Sequence, residues 1–197
     1  MKHDEISLHT KTALAAALKR AMERKPLSKI TVSELIADCG VNRKTFYYHF
    51  EDIYALLRWM LEREAIEVVK QFDLLVDYPD AILFVMDYVD ANRHILNCVY
   101  DSVGEEALKR FFQADFNSIV RTVIDGEERM LGLNAPEDFK QFLCKYHTAA
   151  LAAMLVDWFR GDGGQDRERT LQYIALVTRA SIARSLEQAS RGQGEGA

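Results

Sequence analysis

Gly40-Val41-Asn42-Arg43-Lys44-Thr45-Phe46-Tyr47-Tyr48-His49-Phe50 is the stretch on which the fold turns. Gly40 suits the left-handed residue that follows a helix, and Asn42 suits the N-cap of the next one. The spacing predicts a short helix from Arg43 to about His49. Val41, Phe46 and Phe50 fall on one side of it and can pack inward. Arg43, Lys44, Thr45, Tyr47, Tyr48 and His49 are left near the surface. Cations and hydroxyls at the start of a helix suit phosphates and base edges, and the major groove accepts such a helix.

Working upstream, Thr31 and Glu34 form the T-x-x-E pattern of a capping box. It predicts a second short helix, Val32 to Cys39, which Gly40 ends. Before that, Leu14, Leu18 and Met22 recur every four residues beside Ala17 and Ala21. One apolar stripe of this kind predicts a helix from about Ile6 to Arg24, stopped by Pro26. Two short helices about a tight glycine turn are helix-turn-helix geometry.

Downstream, Asp52 is the expected N-cap of a long fourth helix reaching about Val76, with Ile53, Leu56, Leu57, Met60, Leu61 and Ile66 on its apolar side. A fifth begins near Pro79 and carries Ile82, Val85, Met86 and Val89. Asn92 marks a break before a short segment, Ile95 to Ser102. Gly104 opens another helix, which Gly126 is expected to weaken near its end. Two long helices then run from Pro136 to Arg160 and from Asp166 to Gln188, separated by Gly161 to Gly164. Three prolines and ten glycines in 197 residues leave room for such runs. The fold class is therefore all-α. Residues 1–52 form a head, residues 53–190 a body, and the Gly-rich residues 191–197 a disordered tail.

The chain carries 25 cationic and 30 acidic residues, a net charge of −5. The distribution matters more than the sum. Residues 1–60 hold ten cationic and seven acidic residues, a net of +3; the remainder hold fifteen and twenty-three, a net of −8. An acidic body repels phosphate and helps to turn a basic head toward it. Cys39, Cys98 and Cys144 are odd in number and widely spaced, which suggests neither a disulfide framework nor a zinc site. They read as reduced cysteines of a cytoplasmic protein. The N-terminus lacks the apolar core of a signal peptide, and no apolar run approaches the length of a membrane span.

The pattern Gly-Val-x-x-x-Thr-Phe-Tyr-x-His-Phe, followed by an acidic pair and a long helix, resembles the TetR family signature over about residues 10–60. The resemblance implies three helices for DNA, then six or more for dimerisation and ligand. It implies phosphate contacts from Tyr47 and His49, and Asn42, which caps their helix, is counted with the DNA-binding residues. Arg43, Lys44, Thr45 and Tyr48 would face the groove. Thr31 and Ser33 would offer hydroxyl and backbone N–H groups to a phosphate, and Lys29 a cation. One position departs from the family, which often has Lys at the start of the fourth helix. Here it is Ile53, so one phosphate contact is lost or Lys29 replaces it. Asn92-Arg93-His94-Ile95 and Tyr100-Asp101-Ser102-Val103-Gly104-Glu105 are similar to a subgroup that includes the activator of a dihydroxyacetone kinase operon.

In the body, Trp59, Tyr88, Tyr100, Phe112, Phe116 and Tyr146 either line an effector cavity, as the family implies, or fill the core. Ala149-Ala150-Leu151-Ala152-Ala153 lets two helices approach closely, and the last helix is its expected partner. Ala149, Ala153, Leu155, Trp158, Ile174 and Ile182 are the expected interface of a two-fold homodimer. Such a dimer would read a palindromic operator on double-stranded DNA, as a repressor released by a small molecule or as an activator triggered by a partner protein. Cys144 and His147 have metal-compatible spacing but no evident further ligand, and read as core. No cofactor motif is present, and HExxH, GxSxG and P-loop patterns are absent, which argues against an enzyme.

Overall fold

The structure, a computed structural model, describes residues 2–73, 78–161 and 166–192. The described residues are all-α, with no strand among them. The chain divides into two compact units: Met1–Glu67 with Asn92–Gly104, and Val68–Ala91 with Glu105–Ala197.

The first unit opens with α1 (Lys2–Met22), followed by a 3-10 turn (Leu27–Lys29), α2 (Val32–Cys39) and α3 (Arg43–His49). α1 starts four residues earlier than its apolar stripe suggested. The predicted signals act as read. The Thr31 hydroxyl accepts from Glu34 N–H and the Glu34 carboxylate accepts from Thr31 N–H at 2.9 Å, a complete capping box. Gly40 ends α2 with φ 68°, the left-handed conformation an L side chain resists. α4 (Ile53–Leu61) is capped by Asp52, whose side chain accepts from Ala55 N–H at 2.7 Å.

The fourth helix is not one regular rod to Val76. A π-helical turn occupies Glu62–Ile66, and regular helix resumes only in α5 (Glu67–Val69). Residues 74–77, including the expected end at Val76, lie outside the described residues. α7 (Arg93–Val103) also belongs to this first unit, where it packs on α1 and on the 3-10 turn. Leu14, Leu18, Leu35, Phe46, Leu56, Met60, Ile95 and Leu96 are its fully buried large side chains. Each Leu so placed stabilises the unit by roughly 1.5–3 kcal/mol.

The second unit contains α6 (Tyr78–Ala91), α8 (Glu105–Met130), α9 (Glu137–Arg160) and α10 (Arg167–Gly192). α8 and α9 pack against each other, and α10 lies on α6, α8 and α9. Their core holds Val69, Ile124, Leu143, Cys144, Ile182 and Leu186. Gly126 does not weaken α8, which runs on to Met130, because the position is buried within the packed helix. α10 continues to Gly192, so Arg191 is helical rather than part of a tail. The rest of that tail, 193–197, and most of the loop after Gly161, 162–165, lie outside the described residues.

Candidate nucleic-acid interface

α3 is short, so its position depends on a few contacts. Phe46 is fully buried beneath it, with its ring edge-on to Tyr47 at 5.4 Å and tilted to Phe50 at 6.0 Å. Asn42 fixes its first turn, accepting from Thr45 N–H at 2.8 Å and from the Thr45 hydroxyl at 3.0 Å. With Phe46 inward, Arg43, Lys44, Tyr47 and Tyr48 stand outward, Tyr48 with 71% of its surface exposed. Thr45 and His49 are half-buried, and the His49 ring meets Tyr48 edge-on at 4.9 Å.

α2 is tied to both neighbours. Arg43 donates to the Ser33 hydroxyl at 3.1 Å, which bridges α2 and α3. On its other side, Asp38 pairs with Arg20 and Glu34 with Lys25, both cations belonging to α1 or the residues just after it. The Lys25 ammonium, then the Thr31 N–H and hydroxyl, hold the Glu34 carboxyl down to about 2. The two acids of α2 are thus neutralised on the side of α1. Lys29, at the end of the 3-10 turn, and Lys44 are exposed, as are Thr31 and Ser33. All ten residues expected to meet DNA lie within one contiguous stretch, 29–49, of which Thr45 and His49 alone are not largely exposed. Such a surface, cationic and rich in hydroxyls and rings, is suited to phosphate oxygens and base edges.

Sequence reasoning missed what steadies this head from behind. The N–H of Leu27 donates to Cys98 Sγ of α7 at 3.2 Å, and burial pushes the Cys98 thiol up. Lys19 pairs with Glu64 in the π turn and reaches the Asn92 side chain at 3.5 Å. These contacts join positions more than forty residues apart, and no local pattern announces them.

The expected body sites are redistributed. A cavity of about 120 Å³ in the second unit is lined by α5, α6, α8, α9 and α10, with Val85, Phe116, Leu151, Leu155, Trp158 and Ile174 among its walls. Of the six aromatics expected there, Phe116 is in the lining. Trp59 and Tyr100 belong to the first unit, where the Trp59 ring is tilted to that of Phe50 at 5.9 Å and lies under the Lys11 ammonium. Tyr146 is exposed, Phe112 is buried in a stack with Phe116, and Tyr88 is half-buried outside the lining. Leu155, Trp158 and Ile174, expected at a dimer interface, are half-buried and line the cavity. Ile182 is fully buried in its own chain's core and has no surface to offer a partner. Ala149 is exposed and Ala153 half-buried. The large apolar side chains exposed on the described parts of α9 and α10 are Phe142, Tyr146, Met154, Tyr173, Leu176 and Val177; Met154 and Val177 belong to the apolar faces expected to pair, and the other four do not. His147 is buried, with its Nε2 at 3.3 Å from the Ser181 hydroxyl, and Cys144 sits in the core.

Two families match the chain. Residues 13–60 match bacterial regulatory proteins of the tetR family, and residues 77–188 match a transcriptional regulator C-terminal region of the same class. The HTH-type dhaKLM operon transcriptional activator DhaS of Lactococcus lactis is 24% identical over 148 residues, 75% of this chain and 78% of that protein. The HTH-type transcriptional regulator EthR of Mycobacterium tuberculosis is 36% identical over 62 residues, 32% of this chain and 27% of that protein. Among solved structures, the dihydroxyacetone kinase operon activator DhaS matches with a TM-score of 0.67 at 23% identity, covering 88% of this chain and 96% of that one. A TetR transcriptional regulator from Streptococcus agalactiae matches at 0.57 and 20% identity, covering 92% and 98%. At these identities the two structures speak for the fold.

Proposed function

The chain belongs to the TetR family and is a transcriptional regulator, not an enzyme, and from that premise we propose that it acts in the cytoplasm as a homodimeric repressor whose grip on a palindromic operator is released by an effector. The head, centred on residues 1–52, holds DNA. Residues 53–190 dimerise and take the signal.

The observation that carries this reading is the outward face of α3, with Arg43, Lys44, Tyr47 and Tyr48 exposed around the buried Phe46. One such helix buries too little surface for tight specific binding. Two, related by a two-fold and spaced roughly 34–36 Å or a multiple, read successive turns of a palindrome. Support for the dimer comes from the exposed apolar side chains of α9 and α10, which a second copy would cover. Release requires an effector with different affinities for the DNA-binding and non-binding states.

The test is selection of sites from random duplex DNA with the purified protein, followed by titration of the best site at several salt concentrations. The expected result is an enriched palindrome with a steep salt slope, softened in Tyr47→Ala and Lys44→Ala. Absence of enrichment, with weak binding indifferent to both substitutions, overturns it. A second reading, activation triggered by a partner protein, is favoured by the name of the Lactococcus relative, an operon activator. A reporter behind the selected operator, assayed with and without the gene, separates the two: expression rises on deletion for a repressor and falls for an activator.

A further inference from the structure

Arg43 is the first residue of α3, and in a helix-turn-helix the N-terminal residues of the second helix are those that reach base edges. Its side chain is exposed but tethered. One terminal nitrogen, Nη2, donates to the Ser33 hydroxyl of α2 at 3.1 Å, across the Gly40 turn. That partner is neutral, so the guanidinium keeps its whole charge. The two acids of α2 are engaged on the other side, Glu34 with Lys25 and Asp38 with Arg20.

A guanidinium holds five N–H donors in one rigid plane, and they include two parallel pairs. Each pair takes one of the two hydrogens of Nη2. Whichever hydrogen Ser33 accepts, the other still forms a pair with a neighbouring N–H. Guanine is the base whose major-groove edge offers two acceptors, N7 and O6, and such a pair meets both. The neighbouring groups are less suited to that edge. The Thr45 hydroxyl gives its single hydrogen to Asn42 at 3.0 Å and can only accept from DNA. The Lys44 ammonium is a point charge on a flexible stem.

We infer that Arg43 reads a guanine in each operator half-site and that Ser33 is the positioning residue that aims it. This rests on the reading of the chain as an operator-binding regulator. A side chain ordered before DNA arrives loses less freedom on binding. The contribution of Ser33 is therefore felt at one base pair and not across the whole site.

The test selects sites from random duplex DNA with the wild type, Arg43→Ala, Ser33→Ala and Ser33→Thr. The wild type is expected to enrich a palindrome with one G·C pair in each half whose exchange weakens binding roughly 5- to 150-fold. In Arg43→Ala the preference at that pair should vanish while the rest of the motif survives. Placing 7-deazaguanine there removes the N7 acceptor without altering the protein. It should weaken wild-type binding at least about fivefold and leave Arg43→Ala unaffected. Ser33→Ala should narrow the preference for that pair roughly two- to tenfold. Ser33→Thr, which keeps a hydroxyl, should restore it.

An enriched palindrome whose preferences survive Arg43→Ala overturns the inference alone, as does wild-type binding indifferent to 7-deazaguanine. Ser33→Ala binding that weakens equally on every sequence places the hydroxyl on a phosphate and overturns its positioning role. Absence of any enriched site overturns the regulatory reading and the inference with it.

Discussion

The Asn42 carboxamide oxygen accepts two hydrogen bonds from Thr45, from its N–H at 2.8 Å and from its hydroxyl at 3.0 Å. One residue thus sets both the start of α3 and the rotamer of a side chain on its surface. Asn42→Ala leaves that N–H without its cap and is expected to cost about 1 kcal/mol of stability. Operator affinity should fall by more than stability does, because Thr45 and the first turn lose their orientation together. Urea unfolding and DNA titration on the same preparation check this. A loss in stability with unchanged affinity would mean that the cap serves folding only.

Lys29 stands exposed at the end of the 3-10 turn, just before the capped start of α2. If it replaces the cation that Ile53 does not supply, Lys29→Ala should flatten the log–log salt slope of operator binding by about 0.9. Preference among operator sequences should stay the same, since a phosphate contact carries no base information. A changed preference with an unchanged slope would place Lys29 on a base edge instead.

Gly40 has φ 68°, and a Cβ there would meet nothing within 4 Å. The expected penalty of Gly40→Ala is therefore conformational and not steric, about 1 kcal/mol. Gly40→Asn should cost less, since asparagine tolerates the left-handed region. Thermal unfolding of the two variants ranks them. Equal losses would point to a packing role that the open space around Gly40 does not suggest.

The head was legible because its signals are local: a capping box, a glycine stop and an asparagine cap each act within four residues. Phe46 and Tyr47 are neighbours whose opposite burial follows from helical period alone. The body was less legible. Leu155 and Ile182 carry the same apolar signal, yet one lines a cavity and the other is sealed in the core. Hydropathy marks a residue as covered but not by what. The π turn at Glu62–Ile66 had no sequence signal, and the membership of α7 in the first unit depends on pairs such as Leu27 and Cys98 that only the folded chain brings together.

Two exposed carboxylates are held well below their ordinary range. Glu34 is lowered to about 2, first by Lys25, and Glu137 to about 2, first by Arg121, which it meets at 2.6 Å. Both folded values are depressed, so their stabilisation is full above the unfolded value of about 4.5 and is lost as pH falls toward 2. Unfolding midpoints should drop across that window, and less steeply in Glu34→Gln and Glu137→Gln. Salt should blunt the effect, since both groups lie at the surface. A wild-type profile that the two variants reproduce unchanged would assign acid sensitivity to other groups.

Leu176 and Val177 are adjacent on α10 and leave 66% and 62% of their surfaces exposed, with Tyr173 one turn earlier. On α9, Phe142 and Tyr146 are exposed four residues apart and lie with their rings near-parallel at 6.5 Å. Side chains of this size seldom face water in such number without a partner. If a second copy covers them, Leu176→Lys with Val177→Lys should place like charges across the two-fold and yield a folded monomer at micromolar concentration by sedimentation. Affinity for the palindrome should then collapse toward that of a single half-site. Ile182→Val provides the contrast, because its side chain is fully buried in its own core. It should cost roughly 0.5–1.5 kcal/mol of stability and leave the sedimentation coefficient unchanged. A double lysine variant that still sediments as a dimer would move the interface away from this face of α10.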